Sequence, residues 1–401
     1  MSLADPYDVE AVRRDFPALA EGFAHFDGPG GTQVPDVVSA AVHDAMRSAV
    51  SNRHGPFASS RRSDALVDAA REAVADLVGG EPGGVVLGQS MTANTYVMAG
   101  ALAQTWSAGD EVVLSRLDHD ADVRPWVQAA ARAGAVVRWA EVDPATAELP
   151  AEQYDQLVNE RTRLVAVTAA SNATGTRPDV RGIADRAHAL GAVVHVDGVH
   201  ATPHLPTDVQ ALGADLYATS AYKWYGPHIG FTVGDPALLE SLRPDKLLPS
   251  SDAVPDRFEH GTPSFAALAG VTAAVDWIAS HGAGVTRRER VLSAMALVRA
   301  HEEEVFARLL DGLAANDDVT LVGSPARRTP TVVFTVAGRT PQQISTRLGD
   351  QGVAVWAGDY YAVELMTALG LASSGGAVRA GVVCYTTFAE VDRLLAALQE
   401  V

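Results

Sequence analysis

The chain has 401 residues, 47% of them apolar, which is enough for two packed cores in a globular protein. A formal net charge of −18 without any basic cluster argues against nucleic acid as a partner, because neutralising phosphate needs concentrated positive charge. A single cysteine rules out an intramolecular disulfide and a cysteine-built zinc site, and no apolar run approaches the roughly 20 residues that span a bilayer.

In chain order, Met1–Asp5 lacks the basic and apolar regions of a signal peptide, so the expected location is the cytoplasm. The segment to about His25 has a helical pattern and is expected to pack on a later, smaller domain. Gly28-Pro29-Gly30-Gly31 lacks the GxGxxG spacing of a dinucleotide site and reads as a turn. From Asp64 to Val78, Leu66, Ala70, Ala73, Val74 and Leu77 recur at helical spacing, with Ser63 or Asp64 as cap and Gly79-Gly80 as stop. Strand-like runs then alternate with helical segments: 84–88, 111–115, 136–139, 164–167, 192–196 and 215–219. This rhythm predicts an α/β fold with a mostly parallel sheet covered on both faces. Near Thr286 it changes. Thr286-Arg287-Arg288-Glu289 is a capping box opening a long helix, strands are expected over 331–336 and 378–383, and Thr387 to Glu390 caps a terminal helix. The expected division is an N-terminal segment 1–25, a large domain 26–285 and a small α+β domain 286–401.

Two residues carry the chemistry. Asp197-Gly198 closes the apolar run 192–196, which places a carboxylate at the carboxyl edge of the sheet, where open α/β folds bind ligands. Lys223 follows the next strand, in Ser220-Ala221-Tyr222-Lys223-Trp224-Tyr225-Gly226-Pro227. A strongly hydrated ammonium among apolar and aromatic residues needs a partner or a chemical task. Pyridoxal phosphate supplies one: an amine holds its aldehyde, and a carboxylate keeps its ring nitrogen protonated. The loop Gln89-Ser90-Met91-Thr92-Ala93-Asn94-Thr95, between a strand and a helix, suits an anion at a helix N-terminus. His195, His200 and His204 do not read as a metal set, since alternation separates His195 from the others and no carboxylate completes the ligands.

His195-Val196-Asp197-Gly198-Val199-His200-Ala201, the Ser220 to Pro227 run and Phe258-Glu259-His260-Gly261-Thr262-Pro263 resemble the signature blocks of the cysteine desulfurase-like branch of class V aminotransferases. Those are fold-type I pyridoxal phosphate enzymes, with a seven-stranded-type, mostly parallel sheet in the large domain. The resemblance implies that Ser90 and Met91 offer backbone N–H groups to the cofactor phosphate, with hydroxyls from Thr92 and Ser220. It implies further that His119 stacks on the ring and relays protons, that Asn172 contacts cofactor and substrate, and that His200 bonds the ring oxygen. Arg379, a planar pair of donors suited to a carboxylate, matches the family's substrate arginine. Gly261 and Thr262 would reach the phosphate of the other subunit, which implies a homodimer with shared sites.

The chain departs from a cysteine desulfurase on the substrate side. The stretch Val355-Trp356-Ala357-Gly358-Asp359-Tyr360-Tyr361-Ala362, where such enzymes carry a nucleophilic cysteine, has none, and Tyr361 is expected at the substrate. Trp356 stands near the place of a second arginine. Cys384 is five residues beyond Arg379 in an expected continuous strand, so alternation would turn it away from the substrate. The expected function is action on an amino acid through a carbanion, with Lys223 as base, foremost β-elimination at a C–S bond. A class V aminotransferase or epimerase is the alternative, and an inactive scaffold or sulfur-relay partner is a third.

Overall fold

The structure is a computed structural model that describes residues 7–400; the reading of Met1–Asp5, the start of the N-terminal segment and Val401 lie outside it. Its strands are β1 (Ala24–His25), β2 (Val85–Gly88), β3 (Glu111–Ser115), β4 (Val136–Ala140), β5 (Thr162–Thr168), β6 (Val193–Asp197), β7 (Leu216–Ser220), β8 (Gly230–Gly234), β9 (Val319–Leu321), β10 (Thr331–Val336), β11 (Val353–Ala354), β12 (Trp356–Gly358) and β13 (Ala377–Gly381). Seven of them form one sheet in the order β2-β8-β7-β6-β5-β3-β4. All neighbours are parallel except β8, which runs against both β2 and β7.

Helices on both faces explain why the central strands are apolar throughout. Val165, Val167, Val194 and Val196 pack into one core, while Leu164, Ala166, Val112 and Leu114 pack into the core on the opposite face. The second sheet, β12-β13-β10-β9, is antiparallel and lies against the helices Arg287–Ala314 and Phe388–Gln399 through Val332, Phe334, Val378, Ala380 and Leu394. No helix among the described residues is long and apolar enough to cross a membrane.

The first part of the chain reaches both regions. Phe16 sits among Tyr225, Trp277 and Tyr385 with ring centroids 5.9, 5.2 and 4.8 Å away. Arg13 pairs with Glu390 at 2.9 Å, and β1 lies parallel to β11.

Both expected capping boxes form, at Thr286 and at Thr387. Several of the expected strand bounds shift by one or two residues, and two other boundaries differ for a visible reason. The helix expected from Asp64 begins at Ala58, because Ser60 and Ser63 bond the preceding loop instead of capping: Ser60 Oγ accepts from Gly55 N at 2.6 Å, and Ser63 Oγ accepts from Ser51 N at 3.1 Å. The strand expected over 378–383 ends at Gly381, after which Thr386 N donates to Val383 O at 2.8 Å and closes a turn. Cys384 lies in that turn, so strand alternation does not set its direction. Burial does, since its side chain is fully enclosed in the core beside Tyr225 and Tyr385.

Candidate active site

A cavity of about 720 Å³ opens where the carboxyl ends of β3, β5, β6 and β7 face β12 and β13. This is the crevice an open α/β sheet makes at the ends of its strands. Asp197, the last residue of β6, is buried at its floor, and the carboxylate accepts from Val199 N at 2.9 Å. Lys223 reaches the same cavity from a short 3-10 turn after β7, and its ammonium donates to the Pro29 carbonyl. Burial pushes Asp197 up and Lys223 down to about 7, with Arg379 pressing Lys223 further in the same direction. Burial thus disfavours the charged form of each group. The chain has two lysines, and the other, Lys246, pairs with Asp252 at 3.2 Å away from the cavity.

Arg379 enters from the middle of β13. Its Nη1 donates to Asn172 O at 2.7 Å, its guanidinium lies 4.4 Å from the centre of the Tyr360 ring, and burial lowers it to about 10. Asn172 uses its side-chain amide to donate to Tyr360 O at 2.9 Å, while its Oδ1 is buried without a hydrogen-bond partner. An orphaned acceptor in a polar cavity calls for a donor supplied by a ligand or water.

His119 accepts from Ala121 N through Nδ1 at 3.0 Å and stacks against Tyr361, the centroids 5.5 Å apart and the planes 27° apart. Burial, then Lys223 and Arg379, lower it to about 4, so its ring is neutral near pH 7. His200 Nε2 bonds Thr331 Oγ1 at 3.0 Å, and burial drives this ring down as well. His195 faces Asp122 at 2.7 Å and His204 faces Glu302 at 2.9 Å, so the three histidines have separate partners. Among the described residues, no three His, Cys, Asp or Glu side chains gather as a metal set.

At the far end the helix Met91–Ala103 begins, with Ser90 as its cap accepting from Ala93 N at 3.1 Å. A Cβ added at Gly230 of β8 would lie 1.9 Å from Met91 N. Only glycine lets that strand pass so close beneath the helix start, whose free N–H groups form an anion cradle.

The cavity thus brings together Met91, Thr92, His119, Asn172, Asp197, His200, Lys223, Tyr361 and Arg379 from the sequence-based set. Ser90, Ser220, Gly261 and Thr262 do not line it: Ser220 is buried at the end of β7, and Gly261 and Thr262 are exposed. Sequence reasoning missed Tyr96, Asp120, Arg124 and Tyr360, while Trp356, read only as standing near the place of a second arginine, lines the cavity with Tyr360. The Asp120-to-Arg124 spacing of four was the one readable signal, and it forms an ion pair of 2.8 Å.

A buried carboxylate, an amine whose charged form burial disfavours, an orphaned acceptor and an anion cradle at a helix start fit pyridoxal phosphate. A model of the aminotransferase class-V family matches residues 24–394. An uncharacterized protein of Mycobacterium tuberculosis is 40% identical over 98% of each chain. A probable cysteine desulfurase of Pseudomonas aeruginosa is 34% identical, covering 99% of this chain and 98% of its own. Among solved structures, the cysteine desulfurase CsdA of Escherichia coli superposes with a TM-score of 0.87 at 27% identity, over 99% of this chain and 98% of that one.

Proposed function

The chain belongs to the aminotransferase class V family, a family of pyridoxal phosphate-dependent enzymes, and from that premise we propose that it is a lyase that breaks a C–S bond in a cysteine-derived amino acid by β-elimination. The observation that carries the reading is that Lys223, Asp197 and Arg379 meet in one cavity, and that Lys223 alone of the two lysines lines it.

When bound, pyridoxal phosphate supplies an electron sink that acidifies the α C–H of an amino acid. Lys223 would hold its aldehyde and would serve as the base for the α proton at Nζ, whose charged form burial disfavours, lowering its pKa to about 7. Asp197 would hold a proton on the ring nitrogen. Met91 and Thr92 at the helix start would hold the phosphate, with Ser90 and Ser220, outside the cavity lining, as the further donors of the family pattern. His119 would cover the ring and serve as proton relay, while Asn172 and His200 would bond its oxygen. Arg379 binds the substrate carboxylate, with Asn172 and Tyr361 beside it. In this arrangement residues 26–285 supply the cofactor site and 286–401 the carboxylate partner.

The place of Cys384, the only cysteine, supports elimination without a persulfide. It lies in the core outside the cavity lining, and burial pushes its thiol far up, away from the reactive thiolate. The exposed Gly261 and Thr262, with no role in this chain's own cavity, support a homodimer in which they reach the partner's phosphate. A cytoplasmic location completes the proposal.

Incubation of the holoenzyme with S-substituted cysteines tests the reaction. Equal amounts of thiol, pyruvate and ammonium support elimination. A keto acid that keeps its sulfur points to transamination, and loss of optical activity without products points to epimerisation.

A further inference from the structure

Tyr360 and Tyr361 both adopt the left-handed region, at φ +57° and +58°. Bulky residues take that conformation only when their surroundings impose it. The constraints are visible: Asn172 Nδ2 donates to Tyr360 O at 2.9 Å, Asp120 N donates to Tyr361 O at 2.7 Å, and Tyr361 N donates to Asp359 Oδ1 at 3.0 Å. Glu364 closes the segment with ion pairs to Arg116 at 2.7 Å and Arg124 at 3.4 Å. The outcome is a tyrosine ring pinned against His119 yet 71% exposed.

Trp356 stands on the same wall. It is the direct cross-strand partner of Arg379 and is 54% exposed. Partners across an antiparallel ladder carry their side chains on one face, about 5 Å apart. A Cβ placed on Gly30 would lie 2.7 Å from the indole nitrogen and 3.6 Å from Arg379 Nη2, so indole and guanidinium share one corner. A substrate whose carboxylate lies on Arg379 therefore lies beside the indole. Exposed aromatic faces at the rim of a cavity are apolar surface that a ligand can cover, and free cysteine is too small to do so.

We propose that Trp356 and Tyr361 are specificity-determining residues that receive a bulky apolar or aromatic group carried on the sulfur, so that the substrates are S-substituted cysteines. This rests on the elimination proposed above. The overall step is RS–CH2–CH(NH3+)–COO− plus water giving RSH, pyruvate and ammonium. The Cβ–S bond breaks, the sulfur keeps the electron pair and gains a proton, and no oxidant or reductant is needed.

The test compares S-benzyl-L-cysteine with S-methyl-L-cysteine and L-cysteine on the holoenzyme, with thiol and pyruvate read together. The same conjugates are titrated by calorimetry into the Lys223→Ala protein, which binds without turnover. The benzyl conjugate should exceed the methyl one by at least roughly tenfold in kcat/KM and in affinity, the gain of a stacked aromatic contact with its buried area. Trp356→Ala and Tyr361→Ala should bring both ratios toward one, whereas Trp356→Phe keeps an aromatic face and should retain them. If no conjugate releases thiol, the elimination reading fails and the calorimetric ratio alone decides the aromatic wall. Ratios near one in the unsubstituted protein overturn the inference. So do unchanged ratios in the alanine variants with a weakened dimer, which would assign these aromatics to the subunit contact.

Discussion

Arg379 donates from Nη1 to the backbone carbonyl of Asn172 at 2.7 Å. Through that bond a strand of the second sheet is held to the loop after β5, and the Asn172 side chain continues the link to Tyr360. In the role proposed for Arg379, a guanidinium fixed in this way reduces the ordering that substrate binding must impose.

Arg379→Lys should therefore lower kcat/KM by about 10- to 100-fold, chiefly through KM, because an ammonium cannot offer the planar pair of donors. Cofactor absorbance should be retained. Steady-state kinetics beside the visible spectrum of the variant separate this outcome from general damage to the site.

Lys223 gives a pH dependence with a definite sign. Its native value of about 7 lies below the ordinary 10.5, so from pH 7 to 10.5 the unfolded chain binds more protons than the folded one. That part of the stability rises with pH across the window and is lost as pH falls toward 7. The neutral amine attacks an aldehyde, so cofactor uptake by the stripped protein should rise about tenfold per pH unit below 7 and level off above it. Stopped-flow absorbance across pH 5–10 checks this, and a rate still climbing at pH 10 would contradict the buried amine.

Gly230→Ala probes the anion cradle. Its added methyl would collide with the Met91 amide nitrogen, so the helix start must move. Stability should fall by about 3 kcal/mol, and cofactor should dissociate more readily. Thermal unfolding with and without added pyridoxal phosphate reads both effects.

Cys384→Ser should leave kcat/KM within about twofold while lowering stability by about 1–2 kcal/mol, since a hydroxyl enters a fully buried place. A folded, cofactor-loaded serine variant without activity would place a cysteine in the mechanism.

Asp197 and Lys223 were legible in the sequence because each is a charged residue at the end of an apolar run, and strand ends converge in this fold. β8 was not, because a strand of five residues bounded by glycines shows too little pattern to separate it from a loop. The helix start at Ala58 was hidden by two serines whose hydroxyls bond a preceding loop, a long-range choice that local capping preference does not report. The backbone conformation of Tyr360 and Tyr361 escaped for a related reason. Nothing in a tyrosine pair announces a left-handed backbone, which here depends on Asn172 and Asp120, far away in the chain.

The most direct test of the central claim is reduction of the holoenzyme with borohydride followed by peptide mapping. With two lysines in the chain the outcome is close to binary. The account predicts the pyridoxyl group on the peptide containing Lys223, and none on that peptide in Lys223→Ala. Label on Lys246, or no stable label in a protein that turns over an amino acid, would contradict it.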